Sequence, residues 1–185
     1  EELQNNLLLL KKKDIRFKPF FIVQSEKELI RSQQIAAVFH LEQFSFFPYY
    51  NGRNKTFFKK NIYIKKKNLL AAKPTIKEIF SRKVINRNYF GKLTEMTDGD
   101  VYANLNEKSI GNIETGPIRG LLYKELSGGR SWLRTRDKVT PCRECHYCFL
   151  CPSISNYDYA AGQYNLCTIW KEKKHETRSS GKEGT

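Results

Sequence analysis

Five cysteines, Cys142, Cys145, Cys148, Cys151 and Cys167, stand between residues 142 and 167, and residues 1–141 hold none. Their spacing is C-x2-C-x2-C-x2-C-P, then fifteen residues, then C. Two residues between cysteines let neighbouring thiolates converge on one soft metal centre from a tight turn. Cysteines kept only for core packing would be scattered along the chain. A disulfide framework is the competing reading, and it usually brings an even count and an export signal. Here the count is odd. The leucine run at residues 7–10 is too short for a signal core and follows acidic residues. The cluster therefore reads first as a ligand set.

Four-thiolate sites suit Zn²⁺ or an iron–sulfur cluster. A two-arm zinc ribbon wants two C-x2-C pairs split by a longer loop. This chain has one cysteine-rich arm and one distant cysteine, which is closer to iron–sulfur usage. Cys145-x2-Cys148-x2-Cys151-Pro152 approaches a ferredoxin run, although that run has three residues before its final Cys-Pro. One such centre takes four thiolates, so a fifth is left over. Spacing alone leaves both metals open.

Charge and composition bound the rest. Lys plus Arg is 33 against 19 Asp plus Glu, a net charge of +14. Such a surface meets polyanions or acidic partners, or is simply a solvated lysine-rich face. Residues 53–73 carry Arg53, Lys55, Lys59, Lys60, Lys65, Lys66, Lys67 and Lys73 with no acid, interleaved with Phe57, Phe58 and Tyr63. Basic and aromatic together suit single-stranded nucleic acid. The preferred expectation is an alternating strand with a solvated face. No apolar run approaches the roughly 18–20 residues that span a bilayer, so a cytoplasmic protein without membrane contact is expected. At 185 residues and 39% hydrophobic content, the chain can bury a core without staples. It starts at Glu1 rather than Met, which suggests a fragment of a longer reading frame.

The pattern along the chain predicts a strand over residues 15–23, made irregular by Pro19. Ser25 followed by Glu28 is a capping-box signature, opening a helix over 27–40. A second strand over 44–47 ends at Pro48. Strand, helix, strand in this order predicts a βαβ unit with a parallel pair. Residues 61–64 read as a further strand and 75–80 as a short helix. From Leu93 the character changes: a turn at Thr97-Asp98-Gly99-Asp100, a strand over 101–104, a second turn at Gly111-Asn112, and a helix over 118–126 ending at Gly128-Gly129. Residues 171–185 are charged, poor in apolar side chains and expected to be disordered.

Dropping Cys148 from the run gives Cys142-x2-Cys145-x5-Cys151 and a distant Cys167. That pattern resembles the SPASM domain, the auxiliary-cluster module at the C-terminus of radical SAM peptide-modifying enzymes. The residues before it agree. Residues 98–104 (DGDVYAN) and Ile110-Gly111-Asn112-Ile113 look like the family's hairpin, and Trp132, Arg134 and Arg136 before Pro141-Cys142 also look familiar. The segment PCRECHYCFLCPSISNYDYAAGQYNLC is similar to bacterial pseudo-radical-SAM proteins with a SPASM region, which accompany maturases of small Gly-Gly-type peptides. The resemblance covers roughly residues 85–170 well and the earlier part loosely.

The resemblance implies an α/β, α+β architecture. Residues 1–92 would be the last αβ units of a partial (β/α) barrel, and 93–170 a small SPASM-like module. It implies one [4Fe–4S] cluster on Cys142, Cys145, Cys151 and Cys167; the thiolate chemistry keeps Zn²⁺ as the alternative cofactor. Cys148 then becomes a buried hydrophobe, a surrogate ligand or a reactive thiol. Family positions that ligate a further cluster carry Asn104 and Ser155 here, with Gly116 near a third. The implied partners are a precursor peptide and a maturase. Radical SAM catalysis needs C-x3-C-x2-C, which is absent from this chain. No SAM binding and no catalytic residue are assigned to it, and the expectation is a pseudoenzyme. The rivals are a structural zinc module in a nucleic-acid-binding protein and the C-terminal part of an active radical SAM enzyme.

Smaller features are expected to serve structure. His40 ends a helix, His175 lies in the tail, and His146 lies inside the cysteine loop, where it could tune a ligand. Gly128-Gly129 with Arg130 reads as a helix end ahead of a phosphate nest. Asn156-Tyr157 and Asn165-Leu166 would shape the cluster's surroundings, and Tyr147, Tyr157, Tyr159 and Tyr164 would exclude water.

Overall fold

A computed structural model describes residues 2–128 and 130–169. The expectations at Gly129, at His175 and for the tail 171–185 lie outside the described residues. The chain divides into two units between Ile62 and Tyr63, whereas the change of character in the sequence put the boundary after residue 92. Residues 63–92 go with the cysteine-bearing unit because their backbone is tied to it. Ile64 N donates to Leu166 O at 2.9 Å, and Asn86 N donates to Trp132 O at 2.7 Å.

In the first unit, helix α1 (Glu2–Lys12) precedes strand β1 (Phe20–Val23), helix α2 (Glu26–Val38) and strand β2 (Ser45–Pro48). The two strands pair in parallel, Phe20 opposite Ser45 and Val23 opposite Pro48, which is the expected βαβ unit. The strand begins at Phe20 and not at residue 15. Pro19 has no N–H to give a ladder, and only its carbonyl is used, by Ser45 N at 3.1 Å. The expected cap of α2 forms: Glu28 N donates to Ser25 Oγ at 3.2 Å, and Gln24 N donates to Glu28 Oε2 at 2.8 Å. Alternation along β1 then sends Phe21 and Val23 into a core with Phe57, against Leu29, Ile35 and Phe46, while Phe20 and Ile22 face outward.

The alternating strand expected within 53–73 does not form. Helices α3 (Lys55–Ile62) and α4 (Lys66–Ala71) stand there. Sequence neighbours Phe57 and Phe58 are both buried, which an alternating strand with one solvated face does not allow. Asn54 starts α3: its Nδ2 donates to Tyr49 O at 2.7 Å and Gln24 O at 2.8 Å, and its carbonyl accepts from Phe58 N at 3.0 Å. Lys55, Lys60, Lys65, Lys66, Lys67 and Lys73 stay exposed. The strand expected over 61–64 shrinks to one bridging residue, Ile64, paired with Cys167.

The second unit holds α4, then helix α5 (Ile76–Val84), which runs further than the expected 75–80. Strands β3 (Thr94–Glu95), β4 (Asp100–Tyr102) and β5 (Gly111–Asn112) form an antiparallel sheet in sequence order. The turn at Thr97–Asp100 is as expected, with Gly99 at φ +78°. Gly111-Asn112 is not a turn but β5 itself. The glycine serves a close approach: a Cβ there would stand 2.6 Å from Leu121 Cδ2, at φ +149°. Helix α6 (Ile118–Gly128) covers this sheet, with Leu121, Val101, Ala103, Ile110, Tyr89 and Trp132 in one core. The short helix α7 (Asn156–Ala160) follows the cysteine run. The described residues thus contain one βαβ unit and sheets of two and three strands, with no closed barrel. No helix among them is long and apolar enough to cross a membrane.

Candidate metal centre

The cysteine run is a series of tight turns. Cys142–Glu144 form a 3-10 turn in which Cys145 N donates to Cys142 O at 2.9 Å. The next turn closes with Cys148 N on Cys145 O at 3.0 Å, and the next with Cys151 N on Tyr147 O at 3.1 Å. Cys167 arrives from the far side. Its strand-like backbone is clasped by Ile64, whose N donates to Leu166 O and whose carbonyl accepts from Thr168 N at 3.1 Å. Local turns and one long-range bridge thereby bring all five cysteines to one small cavity of about 20 Å³, closed by Pro141, Asn165 and Ile169. Leu69 of α4, Ile169 and Cys151 form an apolar floor, with Tyr147 and Ile64 against it.

All five thiols are free. Cys142, Cys148 and Cys151 are buried, and Cys145 and Cys167 half-buried. Burial pushes the Cys151 thiol up to about 12, although the Arg136 charge works against the rise. Burial likewise raises Cys142 and Cys148. Such thiols are poor anions until a metal replaces the proton. The thiols do not feel one another equally. Cys151 has Cys167, Cys142 and Cys145 as charge neighbours, and Cys142 has Cys167. Cys148 has Asp137 and Cys145. All five sulfurs line the one cavity, and the Arg136 charge acts on Cys142 and Cys151.

A buried ion pair borders this group. Arg136, only 6% exposed, donates from Nη1 to Asp158 Oδ1 at 3.0 Å and from Nη2 to Asp158 Oδ2 at 3.2 Å. Its Nε donates to Pro152 O at 2.9 Å, and Nη1 also reaches Tyr164 O. The same Tyr164 carbonyl accepts from Cys142 Sγ at 3.2 Å. Burial works against the Arg136 charge, but Asp158 and the Cys142 and Cys151 sulfurs outweigh it and raise its pKa. A fixed cation beside Cys142 and Cys151 favours thiolate ligands and the negative charge of a thiolate-bound centre.

The positions that differ from the family motif have other work. Ser155 caps α7, donating from N and Oγ to Asp158 Oδ2 at 2.8 and 2.9 Å. Asn104 Oδ1 accepts from Asn106 N at 3.0 Å and Nδ2 at 2.8 Å, while its own buried Nδ2 has no partner. Gly116 has open space beside it. Of the expected surrounding residues, Asn165 lines the cavity. Asn156 does not: its Oδ1 accepts from Tyr89 OH at 2.5 Å and Asn106 Nδ2 at 2.9 Å. Tyr159 packs on Tyr89 and Tyr164, joining the sheet core. His146 is exposed and is not among the residues lining the cavity.

The donor set fits a group that takes four thiolates in a dry setting. Four thiolates serve a single Zn²⁺ and an iron–sulfur cluster alike. No protein-family model, curated protein or solved structure matches this chain.

Arg136 and Asp158 are the site residues that sequence reasoning did not assign. Arg136 entered only as part of a familiar-looking run, and Asp158, although its spacing from Ser155 is that of a capping box, carried no signal for the long-range pairing with Arg136. The site's apolar floor was equally silent, since Leu69 lies in a segment whose lysines suggested a strand.

Proposed function

We propose that the second unit is a SPASM-like module that binds one [4Fe–4S] cluster through Cys142, Cys145, Cys151 and Cys167, in a protein that assists recognition or maturation of a ribosomally made peptide. The observation that supports a metal centre is the meeting of all five thiols in one cavity, with Arg136 beside Cys142 and Cys151, and the choice of these four as ligands rests on the resemblance. When bound, the cluster supplies electron transfer or a rigid anchor for the loops around it. This chain's residues hold it, give it a nearby cation, and exclude water through Tyr147, Leu69 and Ile169. The peptide role rests on the resemblance alone. The pseudoenzyme reading and the cytoplasmic location belong to the resemblance, and residues 1–185 carry no C-x3-C-x2-C of their own. The nucleic-acid rival loses support: Phe57 and Phe58 are buried and offer no face for bases to stack on.

Serine substitution of each cysteine in turn, followed by iron analysis after anaerobic purification, tests the ligand set. Cys142→Ser, Cys145→Ser, Cys151→Ser and Cys167→Ser should each lose most of the iron, and Cys148→Ser should retain it. Equal loss from all five would overturn the assignment. Deleting the coding sequence and following the masses of modified peptides tests the peptide role. Unmodified precursor should accumulate, and an unchanged peptide profile would contradict the role.

A further inference from the structure

The turns that carry the cysteines also set Cys145 against Cys148. Cys148 N donates to Cys145 O at 3.0 Å, and such a turn holds its end Cα atoms within about 7 Å. A disulfide bridges Cα atoms about 4.4–6.8 Å apart. Both thiols are free and line the same cavity. Cys145 is half-buried, open to a small oxidant, and Cys148 lies behind it at 8% exposure. The other pairs are less well placed. Cys151 shares no backbone hydrogen bond with Cys148 and is packed into the apolar floor with Leu69 and Ile169. The Cys142–Cys145 turn is also closed, but Cys142 Sγ is held by Tyr164 O at 3.2 Å next to the fixed Arg136.

We infer that Cys145 and Cys148 are a dithiol–disulfide pair whose closure takes Cys145 away from the metal. The bond itself stands on the turn geometry, and its consequence rests on the ligand assignment above. The oxidant is a low-molecular-weight disulfide such as oxidised glutathione. The Cys145 thiolate, free of its proton where it would hold the metal and otherwise giving it to solvent, attacks one glutathione sulfur, breaking that disulfide. The released glutathione thiolate takes up a proton. Cys148 then loses its proton, and its sulfur attacks the Cys145 sulfur of the mixed disulfide, releasing the second glutathione, which is protonated in turn. Two protein thiols are oxidised by two electrons and one small disulfide is reduced. Cys148 is thus the residue that makes the centre oxidant-sensitive, which gives the fifth cysteine a purpose in a four-ligand site.

The test uses the full chain purified anaerobically with its metal. It is incubated with oxidised glutathione, alkylated under denaturing conditions, and digested with chymotrypsin, which cuts after Tyr147 and separates Cys145 from Cys148 unless they are bridged. The five alkylatable thiols should fall by two, with one bridged species carrying Cys145 and Cys148. Metal release should be several-fold faster from the wild type than from Cys148→Ser or Cys148→Ala at the same oxidant concentration. A bridge joining any other pair, no bridge at all, or equal metal release from wild type and a folded Cys148 variant would overturn the inference. The mapping is read on the wild type, so a misfolded variant does not blunt it. It decides the bond whichever metal is present, so zinc in place of iron would refute the cluster reading without touching this result.

Discussion

Arg136 and Asp158 form a two-pronged ion pair inside the second unit, with nitrogen–oxygen distances of 3.0 and 3.2 Å and side chains only 6% and 2% exposed. The pair ties the turn before the cysteines to helix α7 after them, and so fixes both ends of the loop that carries four thiols. Removing one partner leaves the other charged and buried. Asp158→Ala should cost about 3–5 kcal/mol in denaturant unfolding, and the double change Arg136→Met with Asp158→Leu should recover much of it. A loss below about 1 kcal/mol for Asp158→Ala would mean that the pair is solvated and does not hold the loop.

Glu125 is a second buried carboxylate with a structural task. Its Oε1 accepts from Ser131 N at 2.6 Å and Trp132 N at 2.8 Å, holding the chain as it leaves α6. Glu125→Ala should orphan both donors and lower stability by about 1–3 kcal/mol, read by chemical denaturation. Glu125→Gln keeps an acceptor and should cost less. Equal losses from the two variants would show that the acceptor is not what matters.

Gly111 should not tolerate a side chain. A Cβ would stand 2.6 Å from Leu121 Cδ2 at a φ of +149°. Gly111→Ala is expected to cost about 1–3 kcal/mol, a typical overpacking loss. Leu121→Ala should relieve the steric part and leave the backbone part, so the double variant should show a favourable coupling in a thermodynamic cycle. Strict additivity would contradict the close approach.

Glu78 gives α5 a pH dependence. Its carboxyl is lowered from an ordinary 4.5 to about 2, first by the Thr75 backbone N–H, then by Arg87 and the Thr75 hydroxyl. A folded-state value below the unfolded one adds stability that is complete above the unfolded pKa and is lost as pH falls through the folded value. The contribution should therefore be intact above about pH 4.5 and disappear toward pH 2. Melting temperatures of wild type and Glu78→Gln should converge across that window. Parallel curves from pH 5 to pH 2 would show that Glu78 contributes no such linkage.

How far the sequence foretold this molecule depends on the range of the interaction. The Ser25 and Glu28 cap was legible because it needs only residues three apart, and β1–α2–β2 followed from element order. Phe57 and Phe58 misled because a lysine-rich frame around them resembles alternation, while what decides is that both rings find a core. Gly111-Asn112 carried a turn signature, yet the glycine answers to Leu121, a contact that no local pattern encodes. Thiol spacing singled out the metal site, but nothing in the spacing said that Ile64 would clasp Cys167 or that Asp158 would steady Arg136. Long-range polar pairing has no periodicity to read.

The most direct test of the central claim is to measure iron, acid-labile sulfide and zinc in wild-type protein purified without oxygen. About four irons and four sulfides per chain, with little zinc, are expected. Stoichiometric zinc without sulfide would contradict that claim and leave a structural thiolate module in its place.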